Sequence, residues 1–301
     1  MSRIREALEE AVQMREAQKK ETKEDVAEET VLSEKHFDLP DHAAPPRFVV
    51  GDAVIDPAGV DRHLVSITDP RSAATEQYKK LRARILKATR KDFHNTIMIT
   101  SSNMGEGKSI TAANLAVVLS QEMDHTVLLV DADLRSPSLH RYFGIEPRYG
   151  LSDYLHGEIN LSSLLIKTGF GKLVILPGGN PSAHPAELLS SDKMKALVHE
   201  IKLRYKDRYV IFDSSPLLVT ADALSLGNYM DGVLFVVQGG RTSEKAAMQA
   251  LSVMKGWNVL GVVYNDVSPY LTRTSSPRYY AYTKSTFNEN ASNDIGGAIE
   301  K

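Results

Sequence analysis

Cysteine is absent from all 301 residues, so no disulfide framework, thiolate metal site or cysteine nucleophile can exist in this chain. No hydrophobic run approaches the roughly 18 residues needed to span a bilayer. The N-terminus, Met1-Ser-Arg-Ile-Arg-Glu6, leads into charged residues rather than the apolar core of a signal peptide. These absences fit an unexported, cytoplasmic chain. The nine histidines include no pair three or four residues apart, which removes the usual helical metal pair and predicts no tightly held transition metal. A net charge of −2 creates no global field that would gather nucleic acid or an anionic membrane. No nucleic-acid partner is expected.

The composition itself, 42% hydrophobic and 25% charged, is that of a globular protein with one sizeable core. Residues 1–45 carry 7 Lys/Arg against 12 Asp/Glu, a local net of −5, and the segment closes on Ala43-Ala-Pro-Pro46. Residues 1–60 therefore read as an acidic, largely disordered appendage. Within it Ile4, Leu8, Ala11 and Val12 recur at helical spacing over residues 2–18, compatible with either a transient solvated helix or a docking element.

Residues 61–268 alternate helical segments with short apolar runs: Ile97 to Thr100, Val127 to Val130, Leu173 to Leu176, Val210 to Phe212, Val233 to Val237 and Val259 to Val263. Runs without polar alternation suit strands buried on both faces, with the intervening segments as crossover helices. The expected fold is α/β, a doubly wound, mostly parallel sheet flanked by helices. Residues 269–301, rich in Ser, Thr, Asn and Gly, read as a flexible tail. Yet Tyr270, Tyr279, Tyr280 and Tyr282 are four of the chain's twelve tyrosines. Disordered segments are normally poor in aromatics, so the excess points to a use for them.

Three segments carry chemistry. Ser101-Ser-Asn-Met-Gly-Glu-Gly-Lys-Ser109 joins a predicted strand to a helix beginning near Ile110. Glycines there turn backbone N–H groups toward a polyanion, and the helix N-terminus adds its dipole. Gly105, Glu106, Gly107, Lys108, Ser109 and Ile110 form the expected phosphate cradle, with Lys108 on the β and γ phosphates and the Ser109 hydroxyl on Mg²⁺. Ser102 stands where the usual pattern has its first glycine. Asp131 and Asp133 end the strand Val127-Leu-Leu-Val-Asp-Ala-Asp, and Asp213 ends Val210-Ile-Phe-Asp. Each aspartate alone is most simply the cap of a following turn; three complementary sites at strand ends point instead to one ligand crevice.

These segments resemble the Walker A, Walker A′ and Walker B motifs of bacterial tyrosine kinases, P-loop ATPases related to MinD and ParA. The resemblance spans roughly residues 60–285 and includes Pro137, His140, Phe143, Gly150-Leu-Ser-Asp-Tyr-Leu155 and Pro185-Ala-Glu-Leu188. Met1-Ser-Arg-Ile and the Asp69 to Arg82 stretch look like autokinases linked to exosortase-type exopolysaccharide loci. The resemblance implies ATP and Mg²⁺ as cofactors, Lys108, Asp131, Asp133 and Asp213 as the catalytic set, and Ser109, Asp131 and Asp213 around the metal, partly through water. Asp131 is the candidate base for a tyrosine hydroxyl, whose pKa is near 10, while the division of roles among the three carboxylates stays open. Asn265, after the last strand, is at the position that contacts the purine in relatives, or ends the strand in a simple turn.

The same resemblance makes Tyr279, Tyr280, Tyr282 and Tyr270 phosphoacceptors. It makes Glu76, Lys79 and Arg82, three apart on a predicted helix, a ring-forming element in which Lys79 replaces an arginine. The implied partners are a separate membrane-bound polysaccharide co-polymerase that activates the kinase at the inner face of the membrane, further copies of the chain, and a cognate phosphotyrosine phosphatase. Asn103 replaces the intersubunit lysine of MinD-like and ParA-like ATPases, which with the tyrosine excess favours the kinase over a regulatory ATPase switch, while the three carboxylates count against a nucleotide-sensing scaffold.

Overall fold

Successive side chains of a strand face opposite ways, and in the central strands of this protein both sets are apolar. A computed structural model describes residues 55–90, 94–157, 159–204 and 207–267; the candidate N-terminal helix and the tyrosine-rich tail lie outside the described residues. Helices α1 (Val65–Thr68) and α2 (Ala73–Thr89) precede β1 (Thr96–Ser101), α3 (Lys108–Ser120), β2 (Thr126–Asp131), α4 (Leu139–Tyr142) and α5 (Leu151–His156). Then come β3 (Ile166–Lys167), β4 (Leu173–Leu176), α6 (Pro185–Ser190), α7 (Asp192–Arg204), β5 (Arg208–Asp213), α8 (Asp222–Gly227), β6 (Gly232–Gln238), α9 (Glu244–Val253) and β7 (Val259–Asn265).

The strands form one seven-stranded sheet in the order β3-β4-β2-β5-β1-β6-β7. All six expected strands are present, and every pairing is parallel except β3 with β4. Strand β3, two residues long, is too short to leave a periodic signal. Ile97, Ile99, Val127, Leu129, Ile211, Leu234 and Val236 pack on one face of the sheet together with α3. Met98, Leu128, Val130, Val210, Phe212, Val233 and Phe235 pack on the other. Burial of one such side chain contributes roughly 1.5–3 kcal/mol. This outweighs the few tenths that β-branched Ile110, Thr111, Val117 and Val118 cost α3 as helix formers. Nearly every residue of α3 is buried.

Helix α2 is started by Ser72, whose hydroxyl accepts from the Thr75 N–H at 3.2 Å, and lies over α3 through Tyr78, Leu81 and Ile85. Residues 55–60, assigned to the appendage on charge and proline content, belong in part to the packed body. Ile55 and Val60 are buried in the core beside α3, and the Ile55 N–H donates to the Thr168 carbonyl at 3.2 Å. Among the described residues no helix is long and apolar enough to cross a membrane. Because β1, β2, β5, β6 and β7 run parallel, their carboxyl ends share one edge of the sheet, and the loops that leave that edge build the site.

Candidate functional site

The loop from Ser101 to Lys108 turns on two left-handed glycines, Gly105 (φ 76°) and Gly107 (φ 93°). At Gly107 no side chain fits, since a Cβ would lie 1.9 Å from the Asn265 side-chain nitrogen. Ser102, the departure from the usual glycine, is buried and accommodated; its carbonyl accepts from the Leu218 N–H at 3.1 Å. Helix α3 then begins at Lys108 with its first N–H groups facing the loop, an arrangement that attracts an anion.

Below the loop, the β2–β5 register sets Asp131 directly beside Asp213. The buried Lys108 ammonium lies 2.8 Å from Asp133 Oδ2, 3.7 Å from Asp213 Oδ1 and 3.2 Å from Ser109 Oγ. Burial works against its charge, but the carboxylates of Asp213 and Asp133 outweigh burial and raise its pKa, so it stays protonated. Asp131 Oδ2 accepts from the Ser138 and Leu139 N–H groups at 2.8 and 2.9 Å. One oxygen thus caps the turn into α4, while Oδ1 is buried without a hydrogen bond. Asp133 accepts from the Ser136 N–H at 3.2 Å besides holding Lys108.

Asp213 is completely buried, and neither oxygen makes a hydrogen bond. Burial pushes its pKa up; Lys108 and the Ser109 hydroxyl offset part of this without making a hydrogen bond to it. Burial, then the charge of Asp213, push Asp131 up as well, against the pull of the Leu139 and Ser138 N–H groups. Three carboxylates thus face one ammonium, and the charge left over is negative. The unused oxygens of Asp131 and Asp213, with the Ser109 hydroxyl, are hard donors of the kind Mg²⁺ selects. Among the described residues no group of three His, Cys, Asp or Glu side chains forms a ready metal cage.

Sequence reasoning counted Glu106 in the cradle but missed Arg241 and Thr242, which hold the loop from outside. Glu106 turns inward, accepting from the Asn103 N–H at 2.9 Å and from the Thr242 hydroxyl at 2.7 Å. Arg241 donates to the Gly105 carbonyl at 3.1 Å. The available signal was the Gly239-Gly-Arg-Thr242 turn, which leaves β6 at the same sheet edge as the loop. Arg135, just after Asp133, forms a two-pronged pair with buried Asp222 at 3.1 and 3.2 Å and so joins the loop after β2 to α8.

Comparison with known proteins gives this geometry a family. The CobQ/CobB/MinD/ParA nucleotide binding domain family matches residues 97–273. Tyrosine-protein kinase YwqD of Bacillus subtilis (strain 168) is 38% identical over 231 residues, which cover 76% of this chain and 94% of YwqD. The chain belongs to the bacterial tyrosine-protein kinases. Tyrosine-protein kinase etk of Escherichia coli (strain K12) is 30% identical over 67% of the chain, which spans only 28% of that longer protein. The solved kinase domain of Escherichia coli ETK is 29% identical, with 68% of this chain and 82% of that one covered and a TM-score of 0.63.

In this kinase Lys108, Ser109, Asp131, Asp133 and Asp213 come together, and Ile110 lies in the first turn of α3. Asn265 also reaches the loop, its side-chain nitrogen donating to the Glu106 carbonyl at 3.1 Å. Glu76, Lys79 and Arg82 stand apart from the site. Lys79 pairs with Glu76 at 2.6 Å, and Arg82 holds Glu122 and the Val118 carbonyl, both at 2.8 Å, near the far end of α3. Gly150 packs closely on the 177–179 backbone, where a Cβ would lie 2.1 Å from the Gly179 nitrogen, so the motif's first position requires a glycine. Tyr270, Tyr279, Tyr280 and Tyr282 lie outside the described residues.

Proposed function

We propose that this kinase transfers the γ-phosphoryl group of ATP to tyrosine hydroxyls of its own C-terminal segment. The observation that carries the reading is the Asp131–Asp213 pair, buried beneath the glycine loop with three oxygens lacking a hydrogen bond beside Lys108. The loop N–H groups and the α3 N-terminus bind the phosphates, and Lys108, released from Asp133 toward them, neutralises charge on the transferring group. Ser109 and Asp213 would hold Mg²⁺, with Asp131 reaching it only through water, so that its Oδ1 stays open to a proton. When bound, that ion supplies positive charge to the phosphate oxygens and orients them.

Asp131 Oδ1 accepts the proton as the tyrosine oxygen bonds to the γ phosphorus; the bond to the bridging oxygen breaks, and ADP leaves. Its raised pKa suits the task, because a base closer to the hydroxyl's own pKa takes the proton more readily. Tyr279, Tyr280 and Tyr282, with Tyr270 nearer the domain, are the acceptors in this reading. The tyrosine content of the tail and the name of the kinases it resembles support it.

By the same resemblance, the kinase regulates exopolysaccharide production at the inner face of the membrane. A separate membrane-bound co-polymerase activates it there, copies assemble into a ring through the face of α2 bearing Glu76, Lys79 and Arg82, and a phosphatase resets it. Since Arg82 is engaged with Glu122 and Val118 of its own chain, a ring contact there has to share or replace those bonds. The test is incubation with Mg·ATP and mapping of phosphotyrosine by mass spectrometry. Phosphate on the tail that vanishes in Lys108→Met supports the kinase; ATP turnover with no phosphotyrosine would favour a MinD-like or ParA-like switch.

A further inference from the structure

Two glycines at positive φ leave the 101–108 loop many conformations, so its working shape must be imposed from outside. A phosphate cradle points its N–H groups inward and turns carbonyls outward, where they need donors. Two such donors come from elsewhere in the chain: Arg241 to the Gly105 carbonyl and Asn265, at the end of β7, to the Glu106 carbonyl, both at 3.1 Å. The third fastening is the Glu106 side chain itself, which is 1% exposed.

We propose that Glu106, locked by Thr242, is a positioning residue that fixes the phosphate loop in its nucleotide-binding shape. This deepens the ATP-binding reading above and rests on it. One carboxylate oxygen takes the Asn103 N–H three residues back, closing the loop on itself. The other takes the Thr242 hydroxyl, 136 residues away in sequence. Thr242 is held in turn, since its hydroxyl accepts from the Gln238 N–H at 2.9 Å, and Gln238 donates to Asp266 at 2.9 Å. The loop is thereby keyed to the carboxyl ends of both β6 and β7.

An ordinary turn-capping glutamate would need only the Asn103 contact and would keep its other oxygen in water. Here both oxygens are out of water and rely on neutral donors. Removing the Thr242 hydroxyl leaves that oxygen only the Asn103 side-chain amide at 3.5 Å, too long to satisfy a buried carboxylate, so the loss costs more than the bond itself gained. Relief comes from the loop turning Glu106 outward, and the same movement opens the cradle.

The experiment compares wild type, Thr242→Val, Thr242→Ser and Glu106→Gln in the full chain. It measures affinity for a fluorescent ATP analogue, KM and kcat for phosphotyrosine formation, and melting temperature. Thr242→Val keeps the volume and loses the hydroxyl, and should weaken nucleotide affinity and raise KM by roughly tenfold or more. Thr242→Ser keeps the hydroxyl and should restore both to within about twofold. In Glu106→Gln the amide nitrogen cannot accept, so one fastening is lost again and the weakening recurs. That variant decides the matter if Thr242→Val does not fold. A lower melting temperature with affinity and KM unchanged in Thr242→Val or Glu106→Gln overturns the proposal. Failure of the wild type to bind the analogue sinks the ATP reading itself.

Discussion

Replacing Asp213 by asparagine should stabilise the unliganded protein while abolishing its activity, and the sign of the stability change depends on pH. Asp213 is fully buried with no hydrogen bond to either oxygen, and burial pushes its pKa up to about 6 from an ordinary 3.8. The folded state therefore keeps a proton that the unfolded chain releases between about pH 4 and pH 6, so stability falls as pH rises through that window. Two pKa units correspond to about 3 kcal/mol. Asparagine removes that penalty but leaves its own amide short of partners, at about 1 kcal/mol, for a net gain near 2 kcal/mol at about pH 8. For a domain of this size that is roughly 4–8 °C in melting temperature. Thermal unfolding with EDTA present, at about pH 8 and about pH 4, below most of that window, reads the difference. The gain should be present at the higher pH and absent at the lower, where wild-type Asp213 is already neutral. A variant that melts below wild type at the higher pH, or shows the same gain at both, refutes the reasoning.

Gly107→Ala places a Cβ 1.9 Å from the Asn265 nitrogen at φ 93°, so calorimetry should show nucleotide binding lost and stability reduced by about 1–3 kcal/mol. Asp131, pushed up by burial and by Asp213 to about 7, must be ionised to accept a proton. The kcat/KM profile should therefore fall on the acid side of about pH 7. Asp131→Asn should lower kcat at least 100-fold, as expected for loss of a general base, with the affinity for an ATP analogue changed little by comparison. Each tail phosphate adds about −1.5 to −2 charge and should be repelled by the surplus negative charge of the site. Sedimentation should accordingly show smaller assemblies after autophosphorylation, and identical profiles would contradict that link.

Much of the sheet was legible because strands buried on both faces write continuous apolar runs into the sequence, as at Val127 to Val130 and Val233 to Val237. Strand β3 was not, because Ile166 and Lys167 alone carry no period. The first packed residues were also obscured, since Ile55 and Val60 follow an acidic, proline-bounded segment whose composition dominates a window-based reading. At the site, Lys108 and the three aspartates stood out because each sits at a strand or helix end of the right kind. Which oxygen of Asp131 caps the turn into α4 and which stays unpartnered depends on where α4 begins, and that is a tertiary fact. Glu106 looked like one more loop residue because its partner Thr242 lies far along the chain, and nothing local links them. Arg82 gave no sign of its own-chain partners for the same reason; Glu122 and Val118 meet it only after α2 packs on α3.

The central claim is that ATP is spent on the chain's own tyrosines. It is tested most directly by counting ADP released against phosphotyrosine formed, in one reaction with Mg·ATP and the activating partner. The account predicts about one ADP for each tail phosphotyrosine until the acceptors are filled, with neither product in Lys108→Met. Sustained ADP release with Tyr270, Tyr279, Tyr280 and Tyr282 unmodified would contradict it.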